Sequence, residues 1–165
     1  GELVKIPNLC GMKQADLNPN TTLSILDAVG DAINVSVADE TVWFHNMTQL
    51  GHRWLLTYTP HMYQVAGCLP IKEYTDYVFA GDVANAAKIS ASLGEIRKVN
   101  AKWILDPWRK GNMSQSAMKT WMELIGMAGG PVRPPVVELT DEEKESLRSD
   151  LERVGLIQKA KAGVS

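Results

Sequence analysis

The first sixty residues alternate between short apolar runs and longer stretches of helical spacing. Residues 9–12, 33–37 and 54–57 are mainly apolar and have the length of buried strands. Polar or turn-forming residues follow each run. The resulting order of strand, helix, strand, helix, strand predicts a parallel α/β sheet.

Two amphipathic helices are predicted between these runs. The first is expected to be capped by Thr22 and to stop at Gly30, since a hydroxyl residue often begins a helix and glycine often ends one. The second follows Asp39, which lies at the end of the second strand, and stops at Gly51.

From residue 62 onward the pattern is almost wholly helical. An apolar-rich segment is expected to break near Pro70 and to stop at Gly81, where Asp82 can cap the next helix. That next helix is predicted to end at Pro107. A last helix begins with Thr140, whose spacing to a glutamate three residues on is that of a capping box.

Composition restricts the class of protein without identifying it. The chain has 165 residues, a net charge of −2 and 45% hydrophobic residues, which is ordinary for a globular domain with a core. There is no basic excess to bind nucleic acid and no apolar run near the roughly 20 residues that span a bilayer. We therefore expect a cytoplasmic protein with neither a nucleic-acid nor a membrane partner.

The sequence contains no pattern that indicates a metal or cofactor. The three histidines lack zinc-site spacing, and neither a phosphate-binding glycine loop nor a Gly-x-Ser-x-Gly nucleophile turn occurs. Cys10 and Cys68 lie in apolar surroundings and are expected to be buried thiols, with a disulfide as the alternative. We predict no metal and no cofactor.

One lysine lies at the end of a predicted strand. The segment Pro7-Asn8 leads into a short strand that ends Gly11-Met12-Lys13. By position alone, Lys13 is better explained as a surface lysine just beyond a strand.

Taken in order, several segments resemble the dihydrodipicolinate synthase/N-acetylneuraminate lyase family. The resemblance runs from Leu3 to about Leu156 and is most specific in the segment ending at Lys13 and in Val132-Arg133-Pro134-Pro135 with the helix that follows. The family is a (β/α)8 barrel with a C-terminal helical domain, usually tetrameric. The resemblance implies that residues 1–61 are the last three β/α units, strands six to eight, and that 62–165 are the final barrel helix and the C-terminal helical domain.

The resemblance assigns Lys13 to the family's Schiff-base lysine, at the C-terminal end of strand six. Barrel enzymes place their catalytic groups at that end of the strands. The amine would condense with the ketone of a 2-oxo acid such as pyruvate. The iminium would then draw electrons from the neighbouring carbon. Only an unprotonated amine can attack, so a catalytic lysine needs desolvation or a nearby cation.

Two acidic residues follow strand seven of this assignment. Asp39 and Glu40 resemble the acidic pair that N-acetylneuraminate lyases set against substrate hydroxyls, which makes them candidate substrate-binding residues. The alternative is a helix N-cap at Asp39 with Glu40 in the first turn. Bulky Trp43, Trp54 and Tyr58 occupy positions where the family has small residues, and they indicate either an unusual pocket or core packing.

The function that follows is a class I aldolase or lyase acting on pyruvate or a related 2-oxo acid. A dehydratase or hydratase-aldolase of the same family, acting on a sugar acid or aromatic 2-oxo acid, is the alternative, and a non-catalytic assembly fragment is another. The family's catalytic tyrosine lies before Gly1, and a start at glycine indicates a cleaved tag, a processed chain or a fragment. We expect the chain to be inactive without an N-terminal half, to form a homo-oligomer, and to use Arg133 as a structural anchor.

Overall fold

A computed structural model describes residues 1–16 and 18–158. A 3-10 turn at Leu3–Lys5 precedes the first strand, and a second 3-10 turn, Glu40–Val42, precedes the second helix. The strands are β1 (Gly11–Gln14) and β2 (Asn34–Val37), and the helices are α1 (Pro19–Val29), α2 (Trp43–Leu50), α3 (Pro60–Tyr63), α4 (Pro70–Phe79), α5 (Val83–Ser92), α6 (Gly94–Asn100), α7 (Asp106–Arg109), α8 (Gln115–Leu124) and α9 (Asp141–Arg153).

The two strands pair in parallel, as the alternating pattern predicts. Lys13 lies opposite Ser36 in this register. The third apolar run joins the sheet through one parallel bridge between Val37 and Leu55 rather than as a full strand. Parallel pairing is the weaker kind, and among the described residues this run has no further strand beyond it to support a longer ladder.

Helix α1 begins earlier than the sequence predicts. Its N-cap is Asn18, whose side chain accepts a hydrogen bond from the amide of Asn20, and Pro19 occupies the first turn. Asparagine as a cap with proline next is a stronger start signal than an internal threonine. The prediction that Thr22 caps this helix is therefore wrong, and Thr22 is instead a buried residue inside it.

The later helices follow most of the predicted breaks. Pro70 begins α4, and Gly81 has a φ of 85°, after which the Asp82 carboxylate accepts a hydrogen bond from the amide of Asn85. Pro107 does not end a helix, which corrects the prediction. It lies in the first turn of α7, which follows directly on a π-helical turn at Ala101–Leu105 and continues to Arg109.

The described residues divide into two compact units. The first comprises Gly1–Thr59 with Tyr74–Ala87, and the second comprises Pro60–Glu73 with the described residues from Lys88 onward. The division predicted at residue 61 refers to a whole barrel and stays a prediction.

In the first unit, helix α2 packs through a tryptophan. Trp43 is fully buried, and its Nε1 donates a hydrogen bond of 3.0 Å to Oγ1 of Thr75. Val35, Val37 and Met47 are buried in the same unit. Trp43 is thus a core residue, which is the packing alternative of the sequence analysis.

In the second unit, α8 and α9 supply much of the buried surface. The rings of Tyr63 and Trp121 stack with centroids 6.5 Å apart, and Trp121 Nε1 donates 2.9 Å to the carbonyl of Met62. Leu147 and Leu151 on α9 are fully buried. The predicted capping box is confirmed, with the Thr140 and Glu143 side chains each accepting from the other's backbone amide.

The link between α8 and α9 is held by residues other than Arg133. Lys119 Nζ donates 2.7 Å to the carbonyl of Pro131, and Glu123 accepts from the amide of Gly130. The Arg133 side chain is exposed, and within the described part of the chain it makes no hydrogen bond or ion pair. Flanking lysine and glutamate side chains reach the link's backbone, so Arg133 does not have the anchoring role predicted for it.

The structure also describes the two cysteines and the length of the helices. Both cysteines are free, but Cys10 is exposed and Cys68 only half-buried, so the prediction of two buried thiols is wrong. No helix in the described ranges is both long and apolar enough to cross a membrane.

Candidate functional site

Lys13 lies near the C-terminal end of β1 with an exposed side chain. Successive side chains of a strand point to opposite faces. Gly11 and Lys13 therefore share one face, and Met12 and Gln14 share the other. The register places Ser36 beside Lys13 on the neighbouring strand.

The indole of Trp54 lies against the face of the sheet that carries Lys13. A Cβ placed on Gly11 would come within 2.6 Å of Cζ3 of Trp54 and 2.9 Å of the carbonyl oxygen of Asn34. Gly11 is thus required for close approach of the indole. Trp54 remains 38% exposed, so it forms one side of an open surface next to the lysine.

Asp39 and Glu40 have different environments. The Asp39 carboxylate caps the turn Glu40–Val42 by accepting a hydrogen bond of 2.9 Å from the amide of Thr41. Glu40 is 0% exposed and accepts a hydrogen bond of 2.6 Å from the hydroxyl of Tyr74 on α4. Asp39 has the geometry of the N-cap alternative, and its side chain is partly accessible. Glu40 is directed into the first unit.

A pocket of about 250 Å³ lies between α1 and α2, beyond the ends of both strands. Gln14 and Asp39 line it, and Lys13 does not. The pocket is thus on the helix-covered side of the sheet and separate from the lysine's face. Gln14 was not predicted as a site residue, although a polar side chain at a strand position covered by helices is itself a signal.

The described residues contain no group of three or more histidine, cysteine or acidic side chains that could hold a metal ion.

Comparisons with known proteins place this geometry in context. Residues 1–154 match the model of the dihydrodipicolinate synthetase family. A 4-hydroxy-tetrahydrodipicolinate synthase of Thermoanaerobacter sp. (strain X514) is 26% identical over 157 residues, which cover 94% of this chain and 48% of the relative. A probable 5-dehydro-4-deoxyglucarate dehydratase of Rhizobium meliloti is 50% identical over 44 residues, 27% of this chain and 15% of the relative.

Among solved structures, the dihydrodipicolinate synthase of Thermotoga maritima superposes with a TM-score of 0.70 at 16% identity. The match covers 93% of this chain and 48% of that structure. At this identity the likeness establishes the fold alone. Both of these relatives match most of this chain, and the chain spans about half of their length.

Proposed function

Because the chain belongs to the dihydrodipicolinate synthetase family, we propose that it carries the lysine-bearing part of a Schiff-base (class I) aldolase-type lyase. The substrate proposed is pyruvate or a related 2-oxo acid. The observation that carries the proposal is the position of Lys13, near the end of a parallel strand and on the face left open beside Trp54. Catalytic groups of barrel enzymes occupy this end of the strands.

The proposed chemistry uses the amine of Lys13 as nucleophile. Its nitrogen adds to the C2 carbonyl of the 2-oxo acid, and uptake of one proton by the carbinolamine hydroxyl followed by loss of one water leaves an iminium. The cationic nitrogen accepts the electron pair of a bond broken at C3, or stabilises the enamine that forms a new bond there. Attack requires the neutral amine, which a dry surrounding favours.

The Lys13 side chain is exposed within this chain, so the dry surrounding must be completed from elsewhere. Trp54 contributes one side, and Leu56 is a further exposed apolar residue on the same segment. In the described residues the outer edge of β1 has no partner strand. We propose that β1, β2 and the Leu55 segment are strands six to eight of a barrel whose N-terminal half completes the sheet, since eight strands are needed for closure. Assembly into a homo-oligomer, and a cytoplasmic location, remain expectations.

Of the two predicted substrate-binding residues, we propose that Asp39 contacts substrate directly and that Glu40 acts through the turn that it supports. Asp39 is half-buried and can combine capping with a contact to a substrate hydroxyl. Glu40 is directed to Tyr74 and supports the site from within.

A second candidate function is dehydration of a sugar acid. The 44-residue stretch of 50% identity to a probable 5-dehydro-4-deoxyglucarate dehydratase favours it. Both reactions use the same imine, so the product distinguishes them: a C–C cleavage product for the aldolase, and loss of water for the dehydratase.

The test is reductive trapping in the protein that contains the complete barrel. Incubation with pyruvate and borohydride should add a reduced adduct to the tryptic peptide carrying Lys13. Lys13→Ala and Lys13→Arg should both lose the adduct and turnover, because a guanidinium stays protonated and cannot attack. The 165-residue chain alone should give little adduct. An adduct on Lys5 or Lys72, or full turnover by Lys13→Ala, would refute the proposal.

A further inference from the structure

Trp54 lies on the face of the sheet that carries Lys13, and the proposed reaction gives its indole no role beyond excluding water. The segment of Trp54 joins β2 through the bridge between Val37 and Leu55, so β2 lies between this segment and β1. The indole nevertheless approaches β1, where a Cβ on Gly11 would lie 2.6 Å from Cζ3 of the ring. The ring therefore extends from its own segment across β2 to β1.

Small residues leave room for the ring along this path. Ser36 on β2 lies opposite Lys13 and is fully buried, and its hydroxyl donates a hydrogen bond of 3.2 Å to the carbonyl of Val37. On β1, Gly11 has no side chain at the point where the ring arrives, and a Cβ there would force the ring to move. The two strands are thus suited to an indole held in one place, and this place is next to the lysine.

The ring meets β1 on the N-terminal side of Lys13. Gly11 comes two residues earlier on the same strand, which corresponds to roughly 7 Å along the strand axis. Barrel enzymes bind their substrates at the C-terminal ends of the strands. The indole therefore lies deeper than the backbone of Lys13, on the side opposite to the one from which a substrate arrives.

A rigid ring at this depth forms a floor beneath a ligand that is bound to the lysine. In the imine of a 2-oxo acid, the carboxylate and C3 diverge from the carbon that is bonded to the lysine. Pyruvate has only hydrogens on C3, whereas a branched acid has further carbons that need room. An apolar pocket discriminates between substrates by about 10–200-fold for each carbon that it cannot accommodate or fill.

We propose that Trp54 is a specificity-determining residue for the reaction at Lys13, an inference that rests on the proposed function. Its indole closes the space below the imine and restricts the 2-oxo acid to one with a small group at C3, such as pyruvate. A branched acid such as 3-methyl-2-oxobutanoate requires space that the ring occupies.

The experiment measures reductive trapping of pyruvate and of 3-methyl-2-oxobutanoate in separate reactions with borohydride. The initial rate of adduct formation on the Lys13 peptide is determined by mass spectrometry for the complete protein and for its Trp54→Phe, Trp54→Ala and Trp43→Phe variants. The quantity compared is the ratio of the pyruvate rate to the branched-acid rate, in which the intrinsic reactivities of the acids and any loss of folded protein cancel between variants. Trp43 is a fully buried indole on α2 in the same compact unit, so Trp43→Phe is the matched control for removing an indole.

The ratio should fall by about tenfold in Trp54→Ala and severalfold in Trp54→Phe, and it should equal that of the wild type in Trp43→Phe. If Trp54→Ala fails to fold, Trp54→Phe against Trp43→Phe decides. An unchanged ratio in the Trp54 variants, or an equal change in Trp43→Phe, would overturn the role of Trp54 while leaving the imine at Lys13 intact. Absence of any pyruvate adduct on Lys13 in the wild type would instead refute the proposed function, and this inference with it.

Discussion

The buried pair of Glu40 and Tyr74 offers a direct test of what Glu40 does. Both side chains are 0% exposed, and the Tyr74 hydroxyl donates across 2.6 Å to Oε1 of Glu40. Tyr74→Phe removes only that hydroxyl. Glu40 and Tyr74 each have further interactions, so the substitution measures what the Tyr74 hydroxyl contributes and not the whole pair.

The expected size follows from burial and chemistry. A buried acceptor that loses its donor has no water to replace it, which costs roughly 1–3 kcal/mol. In a complete protein about twice the length of this chain, as its relatives are, 1 kcal/mol moves the melting temperature by about 1–2 °C. Tyr74→Phe should therefore lower Tm by roughly 1–6 °C.

The assay is thermal and urea unfolding of the complete protein, with Tyr77→Phe as control. Tyr77 lies on the same helix and is half-buried, and no hydrogen bond of its hydroxyl occurs within the described residues. Glu40→Gln is measured alongside, both for stability and for kcat and KM. It should lower stability, with the coupling to Tyr74→Phe found from the double variant.

Two results would refute this assignment. If Tyr74→Phe is no less stable than Tyr77→Phe, the hydrogen bond does not hold the turn. If Glu40→Gln keeps full stability while kcat/KM falls for a hydroxylated substrate, Glu40 contacts substrate rather than Tyr74.

Two further predictions concern Gly11 and His52. Gly11→Ala should destabilise the protein by about 1–3 kcal/mol, because the added Cβ would meet the Trp54 ring and the Asn34 carbonyl. The control Gly94→Ala should not destabilise it, because the space around that Cβ is open. Equal effects of the two substitutions in urea unfolding would contradict the close approach. Burial lowers the pKa of His52 from its ordinary 6.5, and neither ring nitrogen has a partner among the described residues, so the unfolded chain takes up a proton first as pH falls. The free energy of unfolding should therefore drop below about pH 6.5, by up to about 1.4 kcal/mol per pH unit. His52→Leu should flatten the dependence of the free energy of unfolding on pH in this range, while His61→Gln, at an exposed position, should leave it intact. An unchanged pH dependence in His52→Leu would show that His52 is not its cause.

Local sequence signals determined much of the backbone. Alternation of apolar runs with helical spacing predicted β1 and β2, because each strand depends on neighbours close in the chain. The order of strand, helix and strand predicted their parallel pairing. The Thr140 capping box and the stop at Gly81 were predicted for the same reason, since a cap needs only three or four residues. Lys13 was identified because its segment resembles a known family. The family match over residues 1–154 confirms that the chain belongs to that family, while the role of Lys13 stays a proposal.

Errors arose where two local signals competed. Asn18, followed by Pro19, caps α1 in place of Thr22. Pro107 lies in the first turn of α7 instead of ending a helix, a position where proline is favourable. Arg133 was expected from its position to anchor the link between α8 and α9. Instead, the side chains of Lys119 and Glu123 on α8 form hydrogen bonds with the backbone of that link.

Only the tertiary structure decided which side chains meet. The bond between Glu40 and Tyr74 joins residues 34 positions apart, and nothing in either local pattern specifies the partner. The same holds for the close approach of Trp54 to Gly11 and for the pocket at Gln14. The sequence by itself determined most of the positions of strands and helices, since those follow from hydrogen bonding and periodicity along the chain. Packing of one element against another determined which polar groups are buried, because burial depends on surfaces that come together only on folding.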